Sequence, residues 1–228
     1  IYIILMGIFM TRLKTVCNDD CVFDSARVDI FVTLVHQIGI NGLYNCDITN
    51  ETGGLYHFKL TVGDVIQKGQ VVIDCDQFHS NNSSSIKDVS MNSKDYIMFV
   101  SMRGEGRYEV NISNAANPHL VVFNSNSIGA NSMISITPYM PGDYEVSEQY
   151  SGVNCKLEVR SLESLFENAM SDDAVYYYQK IREEGALNVV VNKEGFLPNP
   201  LRLDADRPMV IQGVGPMRII GRKLNTHS

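Results

Sequence analysis

Asn41-Gly-Leu-Tyr-Asn-Cys-Asp-Ile-Thr49, followed by Gly54-Leu-Tyr-His-Phe-Lys-Leu60, Gly63 and Gly69-Gln-Val-Val-Ile-Asp-Cys75, is the stretch that decides the fold. A second stretch shares its grammar: Ser132-Met-Ile-Ser-Ile-Thr-Pro138, Pro141-Gly-Asp-Tyr-Glu-Val146, Tyr150-Ser-Gly152 and Cys155-Lys-Leu-Glu-Val159. Asn-Gly predicts the two positive-φ positions of a tight hairpin turn. Pro141-Gly142 predicts a turn that re-enters a sheet, Pro presetting φ and Gly tolerating the conformation next to it. Tyr144 alternates inward with Val146 and is placed to bond its hydroxyl to a nearby backbone group.

Along the rest of the chain, short strand-like runs recur at intervals of about ten residues, the spacing of an all-β chain. In Tyr108-Glu-Val-Asn-Ile112 every second side chain is apolar, so one face packs while the other meets water. Leu157 and Val159 repeat the pattern. The Ser-, Asn- and His-rich segment 77–94 reads as a linker between a unit over 1–76 and a second over 95–160. Within 161–185 the period changes to that of an amphipathic helix, through Leu162, Leu165, Phe166, Ala169, Ala174, Tyr177 and Ile181. Strand character returns over 186–228, a tail short for a free-standing unit and read as a β-rich tail or part of a third module.

The grammar of the two stretches resembles filamin-type immunoglobulin-like repeats. Their second half runs through a Pro-Gly-x-Tyr-x-Val strand and a Gly-containing hairpin before the last strand. Arg103-Gly-Glu-Gly-Arg-Tyr-Glu-Val-Asn-Ile112 is similar to that family's Gly-x-Gly-x-Leu-x-Val-x-Ile segment. The resemblance implies an all-β fold of tandem immunoglobulin-like sandwiches, here with a helix and a short β tail at the C-terminus. It also implies that a partner peptide adds as a strand beside Val121, Phe123 and Ser125 and the short stretch from Asn126 through Ile128. A second resemblance, of Asn117-Pro-His-Leu-Val-Val-Phe123 and Pro141-Gly-Asp-Tyr144 to blue-copper cupredoxins, supplies one ligand, His119. The loop Glu148 to Asn154 holds no Cys, His or Met to complete such a centre.

With 228 residues, 44% hydrophobic and 20% charged, the chain has the composition of a globular protein long enough for two domains. A net charge of -7 without a basic cluster argues against a nucleic-acid surface and an anionic-membrane surface. Trp is absent, which excludes the antibody-type Cys…Trp…Cys core. Five Cys cannot all pair within one chain; they read as mostly reduced core residues, with Cys46 and Cys75 placed to lie on neighbouring strands. Cys17-Asn-Asp-Asp-Cys21 is a close pair of metal-ligand type, but it lacks a second couple, and two loop cysteines is the favoured reading. The apolar run from Ile1 to Met10 is too short to span a membrane; it reads as a buried strand, in a chain expected to begin inside a longer polypeptide.

No nucleophile elbow, phosphate loop or HExxH helix is present, so no enzyme, metal or cofactor is expected. Tyr176 and Tyr177, in an aromatic trio on the expected helix, are candidate interface anchors. Asn-x-Ser/Thr sequons stand at Asn50, Asn81, Asn82 and Asn111. The reading is a structural and interaction protein, a spacer and docking surface for other proteins in a larger assembly. Its expected setting is the cytoplasm, cytoskeleton or cilium. The alternatives are a metal-binding or redox cupredoxin-like sandwich and a cell-surface or secreted adhesion module.

Overall fold

A computed structural model describes residues 22–78, 88–161, 185–205 and 207–224. The described chain is all-β. The first nine strands are β1 (Val22–Asp24), β2 (Val32–His36), β3 (Gly42–Asn50), β4 (Leu55–Gly63), β5 (Gln70–Asp74), β6 (Val89–Asn92), β7 (Tyr96–Val100), β8 (Tyr108–Asn114) and β9 (Val121–Asn124). Eight follow: β10 (Ser132–Ile136), β11 (Gly142–Glu148), β12 (Asn154–Arg160), β13 (Leu187–Asn192), β14 (Gly195–Leu197), β15 (Leu201–Asp204), β16 (Met209–Gly213) and β17 (Ile219–Lys223).

Period-2 sequence becomes half-buried strand where expected. In β3 the side chains of Tyr44, Cys46 and Ile48 are buried while Asn45 and Asp47 are not; in β8 Tyr108, Val110 and Ile112 are buried. The β3–β4 hairpin is closed by Asn50, whose Oδ1 accepts from the Gly54 N–H at 2.7 Å and the Thr52 hydroxyl at 2.8 Å. The Tyr144 hydroxyl donates to the carbonyl of Met140 at 2.7 Å, as the alternation of its strand predicts, and Tyr44 does the same to Ile40 at 2.9 Å. Asn41-Gly42 is not a hairpin turn: β2 and β3 lie in different sheets, so the loop between them crosses layers.

Three sheets result, in the orders β1-β17-β11-β12-β15, β14-β13-β16-β10-β2-β7-β5 and β6-β4-β3-β8-β9. The seven-stranded sheet is shared by the two halves of the chain, which meet where β2 pairs antiparallel with β10. Leu34 opposes Ile134, and outward from that pair His36 opposes Ser132 and Val32 opposes Ile136. The same relation holds elsewhere. Gln37 N–H bonds the Asn131 carbonyl and Thr137 N–H the Phe31 carbonyl; Val28 bridges Tyr108 and Ile128 bridges Met217. The pairings of the second half thus follow those of the first, β14 apart, and the two meet at Leu34 and Ile134.

The halves exchange their first strands. β1, at the start of the first half, pairs with β17 at the end of the second; β9, which opens the second half, pairs with β8 of the first. Each exchanged strand is pinned by a buried serine. Ser25 Oγ accepts the Ile219 N–H at 2.8 Å, and Ser125 Oγ accepts the Val110 N–H at 3.0 Å. Phe23 of β1 lies over Gly221, where an added Cβ would meet the ring, so only glycine admits that approach. One hydrophobic cluster runs through both halves.

The expected units therefore do not coincide with the sheets. β7 and β8, which local patterning assigns to a unit over 95–160, pair with β2 and β3. β6, inside the expected linker 77–94, pairs with β4; the middle of that segment, 79–87, lies outside the described residues. The 186–228 tail supplies β13 to β17, which join β10, β11 and β12 rather than a third module. Pairing over such distances in sequence is invisible to local patterning, and nearest-neighbour assignment fails there. The helix expected over 161–185 falls on residues 162–184, outside the described residues.

Candidate interaction surface

The residues that the sequence marks as a docking edge form the exchanged strand and its continuation. Val121 is exposed, but Phe123 is buried with its ring centroid 4.9 Å from that of His36. Ser125 is fully buried on the Val110 amide, and Ile128 is fully buried against Met217. The Asn126 carbonyl accepts the Tyr150 hydroxyl at 2.7 Å. Phe123, Ser125 and Asn126, the last through its side-chain amide to Glu109 at 3.3 Å, reach across to the first half, while Ile128 packs within the second, and β9 offers an outer edge only four residues long. Tyr176 and Tyr177 lie outside the described residues.

Another edge is better formed. Among the described residues β5 ends the seven-stranded sheet, pairing only with β7, in parallel, through Gln70↔Tyr96 to Asp74↔Val100. Neither Pro nor Lys guards it from Gln70 through Asp74. Alternation places Leu34, Phe99, Ile134 and Ile211 on the buried face of this sheet, where Phe123 of β9 packs at 6.2 Å from Phe99. The opposite face carries one row of side chains across the sheet: Leu197, Val190, Gln212, Met133, Val35, Met98 and Val72. Leu197, Val190 and Val72 are exposed, at 56%, 42% and 42%. Six of the seven are apolar, on a face where a solvated sheet alternates to polar residues. The signal was present in sequence: Tyr96-Ile-Met-Phe-Val100 is apolar on both faces, as strands covered on both sides are.

Elsewhere two buried carboxylates are consumed by structure. Asp76, buried, accepts from the Ser101 and Tyr108 hydroxyls at 2.7 and 3.1 Å and from the Arg103 and Glu105 amides, fixing the loop before β8. Glu148 lies on a cleft of about 750 Å³ beside Val191, Val214, Pro216 and Met217. Its carboxylate already accepts from the amides of Tyr150, Ser151 and Arg218 and the Ser151 hydroxyl. Burial works to raise its pKa, but those donors hold it below the ordinary glutamate value. Cys46, Cys75 and Cys155 are free thiols; burial pushes Cys46 and Cys75 well up, so they are poor nucleophiles.

His119 is exposed on the loop between β8 and β9, and among the described residues no three His, Cys, Asp or Glu side chains gather to hold a metal. Cys17 and Cys21 lie outside the described residues. Of the sequons, Asn50 is turned inward into its hairpin and Asn111 is half-buried near Asn124, while Asn81 and Asn82 lie outside the described residues. Among the described residues no helix is long and apolar enough to cross a membrane.

Comparison with known proteins finds no matching family model, no matching curated protein and no matching solved structure.

Proposed function

We propose that this chain is a non-enzymatic spacer and docking protein, built of two immunoglobulin-like, filamin-type sandwiches interlocked by strand exchange. It presents one rigid sheet to extended segments of partner proteins. The observation that carries the reading is the apolar row from Leu197 to Val72, ending at the unguarded β5 edge. A partner segment added beside β5 gains main-chain hydrogen bonds from the free side of that strand and apolar contact with Val72 and Met98. The seven-stranded sheet gives the platform its stiffness, because both halves must deform together. The filamin-like mode of strand addition is retained, but moved from Val121 and Phe123, whose segment is engaged within the molecule, to Gln70–Asp74.

Selection of extended peptides from a display library against the intact protein tests this. Selected peptides should alternate apolar residues and lose binding to a Val72→Lys variant, which guards the edge by charge at an exposed position without touching the core. Peptides that bind Val72→Lys as well as the parent protein would sink the proposal.

A further inference from the structure

Four loops close one end of the first half: 37–41 between β2 and β3, 64–69 between β4 and β5, 93–95 between β6 and β7, and 115–120 between β8 and β9. Their common position is set by register. Gly42 pairs with Val62, Asn92 lies beside Gly63, Tyr44 pairs with Asn114, and His36 pairs with Ile97. Hydrogen bonds tie the loops together. The Asn92 side chain donates to the Val65 carbonyl, and the Ala115 N–H bonds the Leu43 carbonyl.

This end exposes aliphatic side chains at its tips. Ile66 is 85% exposed, Ile40 73% and Leu120 53%, with Leu43, Val65 and Val121 beside them at 39% to 46%. Apolar exposure gathered on the loops of one end marks a surface that meets something other than water. The charge is equally distinctive. Against a chain total of -7, the four loops expose only Asp64, Lys68 and Lys94. Asp95 is buried, with its carboxylate spent on the amides of Lys68, Gly69 and Asn92. Among the described residues, two counterparts in the second half differ. There Met140 is half-buried where Ile40 is exposed, and Asp143, paired with Lys156 at 2.9 Å, stands where Leu43 does.

We infer that this loop end dips into a lipid surface of zwitterionic headgroups. The tips are aliphatic, and the four loops carry no Arg, Tyr or Trp, the anchors that dominate protein–protein hot spots. Aliphatic tips enter the boundary between headgroups and acyl chains. The near-neutral end matches a neutral membrane surface, whereas the acidic remainder is repelled by anionic lipid. This contact is peripheral and independent of the β5 edge, so either reading stands or falls without the other.

Co-sedimentation of the full chain with phosphatidylcholine vesicles tests it, alongside Ile40→Asp, Ile66→Asp and, as a control at the opposite end of β4, Leu55→Asp. The expected result is binding to phosphatidylcholine that phosphatidylserine does not strengthen. Either isoleucine substitution should weaken it by about tenfold or more, from the apolar surface no longer buried, while Leu55→Asp binds as the parent does and all variants melt alike. Three results would overturn the inference: no vesicle binding; binding unchanged by Ile66→Asp, including salt-sensitive binding confined to phosphatidylserine vesicles; or, by analytical ultracentrifugation, self-association that Ile66→Asp abolishes in a protein that ignores vesicles.

Discussion

Leu34 and Ile134, both fully buried, face each other across the antiparallel pair at the centre of the seven-stranded sheet. Each is the middle residue of its strand, so their contact lies at the centre of the pairing between the halves. A cavity there is shared. Ile134→Ala should cost about 2–5 kcal/mol. It should also raise amide exchange in β3 of the first half as much as in β11 of the second, read by hydrogen–deuterium exchange. Loosening confined to β11 would show that the halves are not coupled through this pair.

Gly221 tests the exchange from another side. A Cβ at this position would overlap the Phe23 ring, so Gly221→Ala must push β1 off β17 or distort both. Overpacking of this kind costs about 1–3 kcal/mol. Phe23→Leu in the same chain should recover part of the loss, as a double-mutant cycle measured by urea unfolding. Additive losses would place Phe23 away from Gly221.

Two buried groups near the junction give opposed responses to acid. Burial pushes His36, whose Nδ1 is 2.8 Å from Ser132 Oγ, down to about 4 from 6.5. The unfolded chain therefore takes up that proton first, and stability is lost as pH falls through the window from 6.5 to 4. Burial pushes Asp29 up to about 6 from 3.8, against the amides of Phe31 and Val32 and against Arg107 at 3.8 Å. Here the folded chain takes up the proton first, and stability is gained as pH falls through 6. Between about pH 6 and 4 the two responses oppose each other. Relative to the parent, Asp29→Asn should lose, and His36→Gln gain, up to about 3 kcal/mol across that window, as shown by urea midpoints at successive pH values. Parallel curves for all three proteins would contradict both assignments.

Much of the local structure was legible. Tyr108-Glu-Val-Asn-Ile112 and Leu157 with Val159 became strands with the expected buried faces, and the Tyr144 hydroxyl found a backbone carbonyl. What alternation does not carry is the neighbour. Period 2 says that Leu34 and Ile134 point inward, not that they oppose each other across the two halves of the chain. For the same reason β7 and β8 read forward into the second unit. Burial at the expected docking segment was hidden for a related cause: the partners of Phe123 and Ile128, His36 and Met217, lie far away in sequence. The Val72 to Leu197 row was readable only in fragments, because its members lie on seven strands that the sequence order scatters.

That the halves are interlocked, and hold their surfaces as one body, is tested most directly by severing the chain in the loop between β8 and β9. Fragments 1–118 and 119–228 each lack the partner for an exchanged strand and for the central pair. Neither should give a cooperative unfolding transition alone, and mixing should restore a single one. A cooperative transition in either isolated fragment would contradict the interlock.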